Sequence, residues 1–113
     1  MVKETDEAGL KAGLELELRR GVVILAVLSQ LVTEQYGYSL KQALSEQGMS
    51  MDEGTLYPLL RRLESQGLLS STWRVEEGRP RRYYALSAEG KKVYVALSKQ
   101  WRSLVRAMDG LLK

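Results

Sequence analysis

The sequence predicts a mostly helical chain that carries one β-hairpin. Three observations lead there. Leu56, Leu59, Leu60 and Leu63 repeat at the i, i+3, i+4, i+7 spacing of one helical face. After Gly67 the period changes, and the β-formers of "LLSSTWRVEE" and "RYYAL" flank a turn-like "GRPR". Val93, Leu97, Trp101, Leu104, Met108 and Leu111 then mark a single apolar stripe along the last stretch. With 113 residues the chain has room for one core and not for two.

Each element has its own reason. Residues 1–13 open polar and acidic, which predicts a flexible tail. "LELELRRGVVILAVLSQLV" reads as a helix whose apolar face runs through Leu25, Leu28 and Val32, with Gly21 marking the end of a leading turn. "TEQYGY" reads as a loop. A short helix follows, with Ser39 as its N-cap, Leu40, Ala43 and Leu44 facing inward, and Gly48 as its stop. The next helix ends at Gly67, and its start has two readings. Ser50 with Glu53 makes a capping box, while Thr55 as cap would leave Pro58 inside the first turn. Ser87 caps a last helix of roughly 40 Å.

Composition narrows the chemistry. Hydrophobic residues make up 44% and charged residues 27%, so a packed fold is expected and disorder is not. With no cysteine and no histidine, disulfides, Cys/His zinc sites and Ser–His or Cys–His nucleophiles are excluded. The acidic residues Glu53, Glu64, Glu76, Glu77 and Glu89 read as caps or solvated positions, so neither an enzyme, a metal site nor a cofactor is expected. Net charge of +3 permits a nucleic-acid partner. "VVILAVL" is too short to span a bilayer, and no signal peptide is read, so the expectation is a soluble, cytoplasmic protein.

The face opposite the leucines carries the functional signal. On a helical wheel Gly54, Pro58, Arg61 and Ser65 fall at its centre, with Tyr57 and Arg62 at its flanks. Two residues of small bulk give this helix a slim leading end that suits a major groove about 12 Å wide. The dipole and free N–H groups of that end suit phosphate. Thr55 and Tyr57 offer hydroxyls, and Arg61 offers a planar fork for guanine or phosphate. Arg79, Arg81 and Arg82 surround the Pro80-bearing hairpin tip, offset by Glu76 and Glu77 at its base. A slim basic helix followed by a basic hairpin is the plan of a winged helix-turn-helix (residues 14–86), here with a long C-terminal dimerisation helix (residues 87–113). The full DNA-facing set is Ser39, Gly54, Thr55, Tyr57, Pro58, Arg61, Arg62, Arg79, Pro80, Arg81 and Arg82.

"LRRGVVILAVL", "YGYSL", "GTLYPLLRRLESQGLL" and "GRPRRYYALSAEGKK" resemble, in order and spacing, the landmarks of the PadR family of bacterial transcription regulators. The match runs from Leu18 to about Leu112 and looks like the smaller class, whose C-terminal part is one dimerising helix. The resemblance implies a dimeric winged-helix repressor, often of its own operon and sometimes released by a small molecule. It places Thr55, Tyr57, Pro58 and Arg61 toward DNA, and Gly78 to Arg82 in the wing. Ser87 stands where many relatives have threonine.

The final stripe is too long for a small core to cover, so a two-fold homodimer is expected through Leu14, Leu18, Val93, Leu97, Trp101, Leu104, Met108 and Leu111. A two-fold dimer calls for an inverted-repeat operator. Trp101, with Leu97 and Met108, would then approach its own copy and could form a slot for a planar aromatic effector. The plainer alternative is that Trp101 fills the interface and admits nothing. The rival to a DNA-binding regulator is a winged-helix protein-interaction module, which would be expected to lack either the basic helix face or the basic wing.

Overall fold

The computed structural model describes the chain from Glu4 onward, and its side-chain surroundings from Asp6. Four helices and three strands follow in the order α1 (Glu4–Gln30), β1 (Gln35–Tyr36), α2 (Gly37–Glu46), α3 (Glu53–Ser65), β2 (Leu69–Glu76), β3 (Arg79–Leu86) and α4 (Ala88–Leu111). The strands form one antiparallel sheet in the order β1-β3-β2. This is the winged helix-turn-helix arrangement that the sequence predicts.

The core forms where the three helices meet the base of the hairpin. Val27 and Leu28 of α1, with Leu31 just after it, pack with Leu40 and Leu44 of α2, and with Leu56, Leu60 and Leu63 of α3. Leu69, Tyr84 and Leu86 close it from the sheet. Leu59 is only half-buried, at the border of the leucine face. The helix stops at Gly48 and Gly67 are as expected, with φ of 85° and 81° that only glycine adopts without strain.

Several local expectations are corrected. The expected tail is helical from Glu4, since α1 runs unbroken through Gly21 to Gln30; residues 1–3 lie outside the described residues. The inward face of α1 is Ile24, Val27 and Leu28; just beyond the helix Leu31 is buried while Val32 is 55% exposed. "TEQYGY" is not wholly a loop. Gln35 and Tyr36 pair with Tyr84 and Tyr83, and α2 begins at Gly37. A two-residue strand is too short to leave a periodic signal. Ser39 therefore sits inside α2, with Tyr36 at the cap position, and its hydroxyl donates to the Tyr36 carbonyl at 2.9 Å. The cap of α3 is neither Ser50 nor Thr55 but Asp52, whose Oδ1 accepts from the Thr55 amide at 2.7 Å. Pro58 consequently falls in the second turn and removes the N–H that would reach the Gly54 carbonyl.

The hairpin is tighter than "GRPR" suggests. Its turn is Glu77–Gly78, with φ of 51° and 75°, the mirror-image geometry that matches strand twist. Arg79 and Pro80 belong to β3, opposite Glu76 and Val75. Glu76 and Glu77 thus lie at the tip and not at the base. Pro80 falls where β1 has ended and β3 is flanked on one side only, a placement that sheets tolerate for proline.

Ser87 caps α4 as expected, accepting from the Gly90 amide at 2.9 Å, and its hydroxyl donates to the Gly67 carbonyl at 2.6 Å. From there α4 projects. The radius of gyration is 16.9 Å, against about 13 Å for a compact chain of this length. The surplus comes from α1 and α4, which reach beyond the core. Every residue from Asp6 to Gly21 is exposed, as is nearly all of α4 after Ser98. No helix among the described residues is long and apolar enough to cross a membrane.

The closest backbone approach is at Gly90, where an added Cβ would lie 2.0 Å from the Leu68 carbonyl oxygen. Gly90→Ala should destabilise the fold by about 1–3 kcal/mol, because backbone on both sides must move. Gly21→Ala, where a Cβ meets nothing within 4 Å, should gain up to about 1 kcal/mol from helix propensity. Urea midpoints of the two variants should move in opposite directions.

Candidate nucleic-acid interface

Burial of Leu56, Leu60 and Leu63 turns the opposite side of α3 outward. Gly54, Thr55, Pro58, Arg61, Arg62 and Ser65 are all exposed, as the wheel places them. The surface is not uniform. Gly54, Thr55, Pro58 and Arg62 border a groove of about 640 Å³ between α1 and α3, floored by Val23, Ile24, Met51 and Leu59. Arg61 lies on the other flank, toward the sheet.

Tyr57 is half-buried and packs against the core. Its ring fills the space above α2, where a Cβ on Gly37 would come within 2.6 Å of it. Burial pushes the Tyr57 pKa above its ordinary value, followed by the charge of Glu53 and then by Tyr84. Its hydroxyl therefore stays protonated and remains a donor at neutral pH.

The start of α3 is less suited to phosphate than the sequence implies. Asp52 occupies the Thr55 amide, and Glu53 adds a second acid in the first turn. The start of α2 is the opposite case. It has no side-chain cap and no acid in its first turn, so its N–H groups are unclaimed by side chains.

The wing arginines divide sharply. Arg82 is held toward α3: its Nη2 donates to Glu64 Oε1 at 2.6 Å and its Nε to Ser71 Oγ at 3.0 Å. Ser71 in turn donates to Glu64 Oε2 at 2.5 Å. Arg81 lies over the Tyr36 ring at 4.6 Å and bridges Glu76 at 3.7 Å. Arg74, which the sequence reading leaves out, bridges Glu34 at 2.5 Å and lies 4.6 Å over the Tyr83 ring. Tyr83 meets Tyr36 edge-on at 5.5 Å and donates to Glu76 at 2.7 Å. Arg79 is exposed and makes no salt bridge among the described residues. Of the three arginines expected at the tip Arg79 is thus free, while Arg81 and Arg82, together with Arg74, brace the hairpin. Sequence spacing signals basic residues on a wing but not their partners, because Glu34 and Glu64 are distant in the chain.

The wing also exposes apolar surface that sequence reasoning passed over. Trp73 and Val75 are 65% and 75% exposed, on the same face as Ser71. Period-two alternation from buried Leu69 was the available signal.

The expected dimer residues are mostly uncovered. Leu14, Leu18, Leu97, Trp101, Leu104, Met108 and Leu111 are exposed, joined by Leu10, Leu16 and Leu112. Val93 differs, because it packs with Tyr94 against the core of its own chain. The free stripe therefore starts at Leu97. Trp101 lines a hollow of about 280 Å³ between α1 and α4, beside Val22, Leu25, Ser29, Tyr94 and Ser98. Leu97 and Met108 lie outside that lining.

Comparison with known proteins agrees with this architecture. Residues 24–96 match the model of the transcriptional regulator PadR-like family. The chain is 42% identical over 89 residues to a transcriptional regulator of Mycobacterium tuberculosis, covering 78% of this chain and 80% of that protein. It is also similar to the crystal structure of a PadR family transcriptional regulator from Eggerthella lenta, with a TM-score of 0.84 and 42% identity over 95% of this chain and 96% of that one. A PadR-like transcription factor structure from Bacteroides fragilis aligns with a TM-score of 0.74 and 31% identity, covering 88% and 98%. A basic helix face backed by a leucine core, a hairpin wing joined to it, and the family match over 24–96 lead to one conclusion: this chain belongs to the PadR-like family of transcriptional regulators.

Proposed function

We propose that the chain acts in the cytoplasm as a homodimeric repressor that binds an inverted-repeat operator in double-stranded DNA and is released by a small planar aromatic effector. The observation that carries the DNA reading is the exposed face of α3. It presents Arg61, Ser65 and the slim Gly54–Pro58 ridge outward while its leucines are locked into the core. In this reading α3 enters the major groove, where Arg61 reads a base edge and Thr55 and Arg62 contact its flanks. Ser39 and the uncapped start of α2 approach a phosphate, Tyr57 donates its hydroxyl nearby, and Arg79 with Pro80 carries the wing to the backbone.

The dimer reading is supported by the apolar faces of α1 and α4. Leu10, Leu14 and Leu18 repeat every fourth residue on α1, and the α4 stripe from Leu97 to Leu111 keeps from 37% to 76% of its surface exposed in the single chain. Apolar surface on this scale favours a second copy. The effector reading rests on Trp101, which is 42% exposed in the single chain and borders a hollow. In a two-fold dimer it would face its own copy near Leu97 and Met108. A flat molecule between the indoles would favour one spacing of the recognition helices over another.

Gel shift and footprinting with the DNA upstream of its own gene should give two-fold protection with half-site centres roughly 10 bp apart. Protection without symmetry, or a protein that stays monomeric at micromolar concentration, would count against the dimer. Arg61→Ala should lose about 1–3 kcal/mol of preference for the operator over mixed-sequence DNA. Arg79→Ala should weaken both DNAs alike and flatten the salt dependence by about one unit, as expected for one lost phosphate contact. If both variants lose specific and non-specific affinity equally, reading and anchoring are not divided in this way.

The effector is tested by titrating planar aromatic compounds into the parent and into Trp101→Phe, with Trp73 as the internal fluorophore of the variant. Quenching of the parent beyond that of the variant, accompanied by weaker operator binding, is the expected result. A broad panel that quenches both alike leaves Trp101 as packing only.

A further inference from the structure

We propose that Glu64, Ser71 and Arg82 form a clasp that fixes the angle between α3 and the wing, so that both meet DNA as one rigid body. Arg82 is then a positioning residue that acts through Glu64 and not a phosphate contact. The proposal rests on the DNA-binding reading above and adds to it a device that sets the relative placement of its two parts.

The geometry carries it. Beyond Tyr84 the hairpin leaves the core, and its outer half has no buried apolar side chain to hold it. Its fixings there are polar. On one face Arg82 joins Glu64 at 2.6 Å and Ser71 at 3.0 Å, and Ser71 joins Glu64 at 2.5 Å, which closes a triangle between α3, β2 and β3. The Nε and Nη2 edge of the guanidinium is thereby fully used. Its plane is confined further by the rings of Trp73 and Tyr84, at 5.8 and 5.4 Å. On the other face Arg74–Glu34 and Arg81–Tyr36 tie the same strands to the segment leading into α2.

An isolated surface ion pair holds little, because water screens it and both side chains lose freedom. This one differs in three respects. Glu64 and Arg82 are about three-quarters and two-thirds shielded, with side-chain exposures of 26% and 34%. Both carboxylate oxygens of Glu64 have partners, and the pair spans 18 residues of chain, from the helix to the far strand. Glu64 sits next to the exposed face of α3, where an unneutralised carboxylate would repel phosphate. The clasp explains why an acid is tolerated there.

The test turns on sign. Glu64→Gln removes a negative charge close to the DNA face, so electrostatics alone would strengthen binding to every duplex. The clasp gives the opposite outcome for the preferred sequence. Affinity for a duplex from the DNA upstream of its own gene should fall about tenfold. Affinity for a mixed-sequence duplex of equal length should stay level or rise. Arg82→Gln should behave alike and leave the slope of log K against log salt unchanged. The double variant should be no worse than the worse single, since both remove one shared interaction. Hydrogen exchange of the β2 and β3 amides near the tip should speed up in each single variant, with Ser71→Ala as a further variant should Arg82→Gln fail to fold. The proposal is overturned if Glu64→Gln tightens both duplexes, or if exchange in the wing is unchanged. It is also overturned if Arg82→Gln weakens both duplexes and flattens the salt slope by about one, which would make Arg82 a phosphate contact. A parent protein that shifts neither duplex sinks the DNA reading itself, whereas unchanged exchange in Glu64→Gln sinks the clasp alone.

Discussion

The rest of the structure depends on how α3 is buried. Leu56, Leu60 and Leu63 lie within 1% of full burial among Leu28, Leu31, Leu40 and Leu69, and a helix has no freedom to roll once one face is locked in this way. That single constraint sends Gly54, Pro58, Arg61 and Ser65 outward. It also places Glu64 on the flank nearest the hairpin and Arg62 on the flank nearest α1. Pro58 can occupy the second turn because the backbone bond it removes lies on the outer side, while the core face keeps its packing.

The hairpin is built differently from the helical core. Only its base buries apolar side chains, Leu69, Tyr84 and Leu86; the outer half is held by arginines against aromatic rings and carboxylates. Such contacts are directional, so they fix an angle in a way that apolar packing on a thin two-stranded projection could not. The same arginines cannot also be counted in full as free positive charge. Of the wing's basic residues, Arg79 is the one left without a protein partner among the described residues. The tight Glu77–Gly78 turn brings it to the tip.

A second division runs along α4. Its first turns belong to the chain's own core, where Gly90 lets the helix come against Leu68 and where Val93 and Tyr94 pack inward. From Leu97 onward the stripe is exposed, as are the leucines of α1 from Leu10 to Leu18. Trp101 stands at the changeover, partly seated against α1 and partly free. In the proposed dimer this is where the fold of one chain gives way to assembly, so a change in how Trp101 is packed would be felt by both recognition helices.

The sequence by itself determined what local chemistry controls. The leucine period of α3, the change to β-formers after Gly67, the glycine stops and the Ser87 cap each act within a few residues, and the structure has them where they were expected. Gly54, Pro58, Arg61 and Ser65 were legible as an outward face for the same reason, since helical geometry alone separates them from the leucines. What only the tertiary structure decided involves partners far apart in the chain. Gln35–Tyr36 becomes a strand because β3 is there to pair with it. Asp52 displaces two plausible caps because its carboxylate is the one aimed at the Thr55 amide. Val93 is drawn inward by a core whose helical members, from Val27 to Leu63, precede it by 30 residues or more. Arg82 turns from the wing's surface to Glu64, because folding brings an acid on α3 beside a strand 18 residues later. A charge pattern gives the number of arginines on a hairpin, but which of them are free depends on where the carboxylates come to rest.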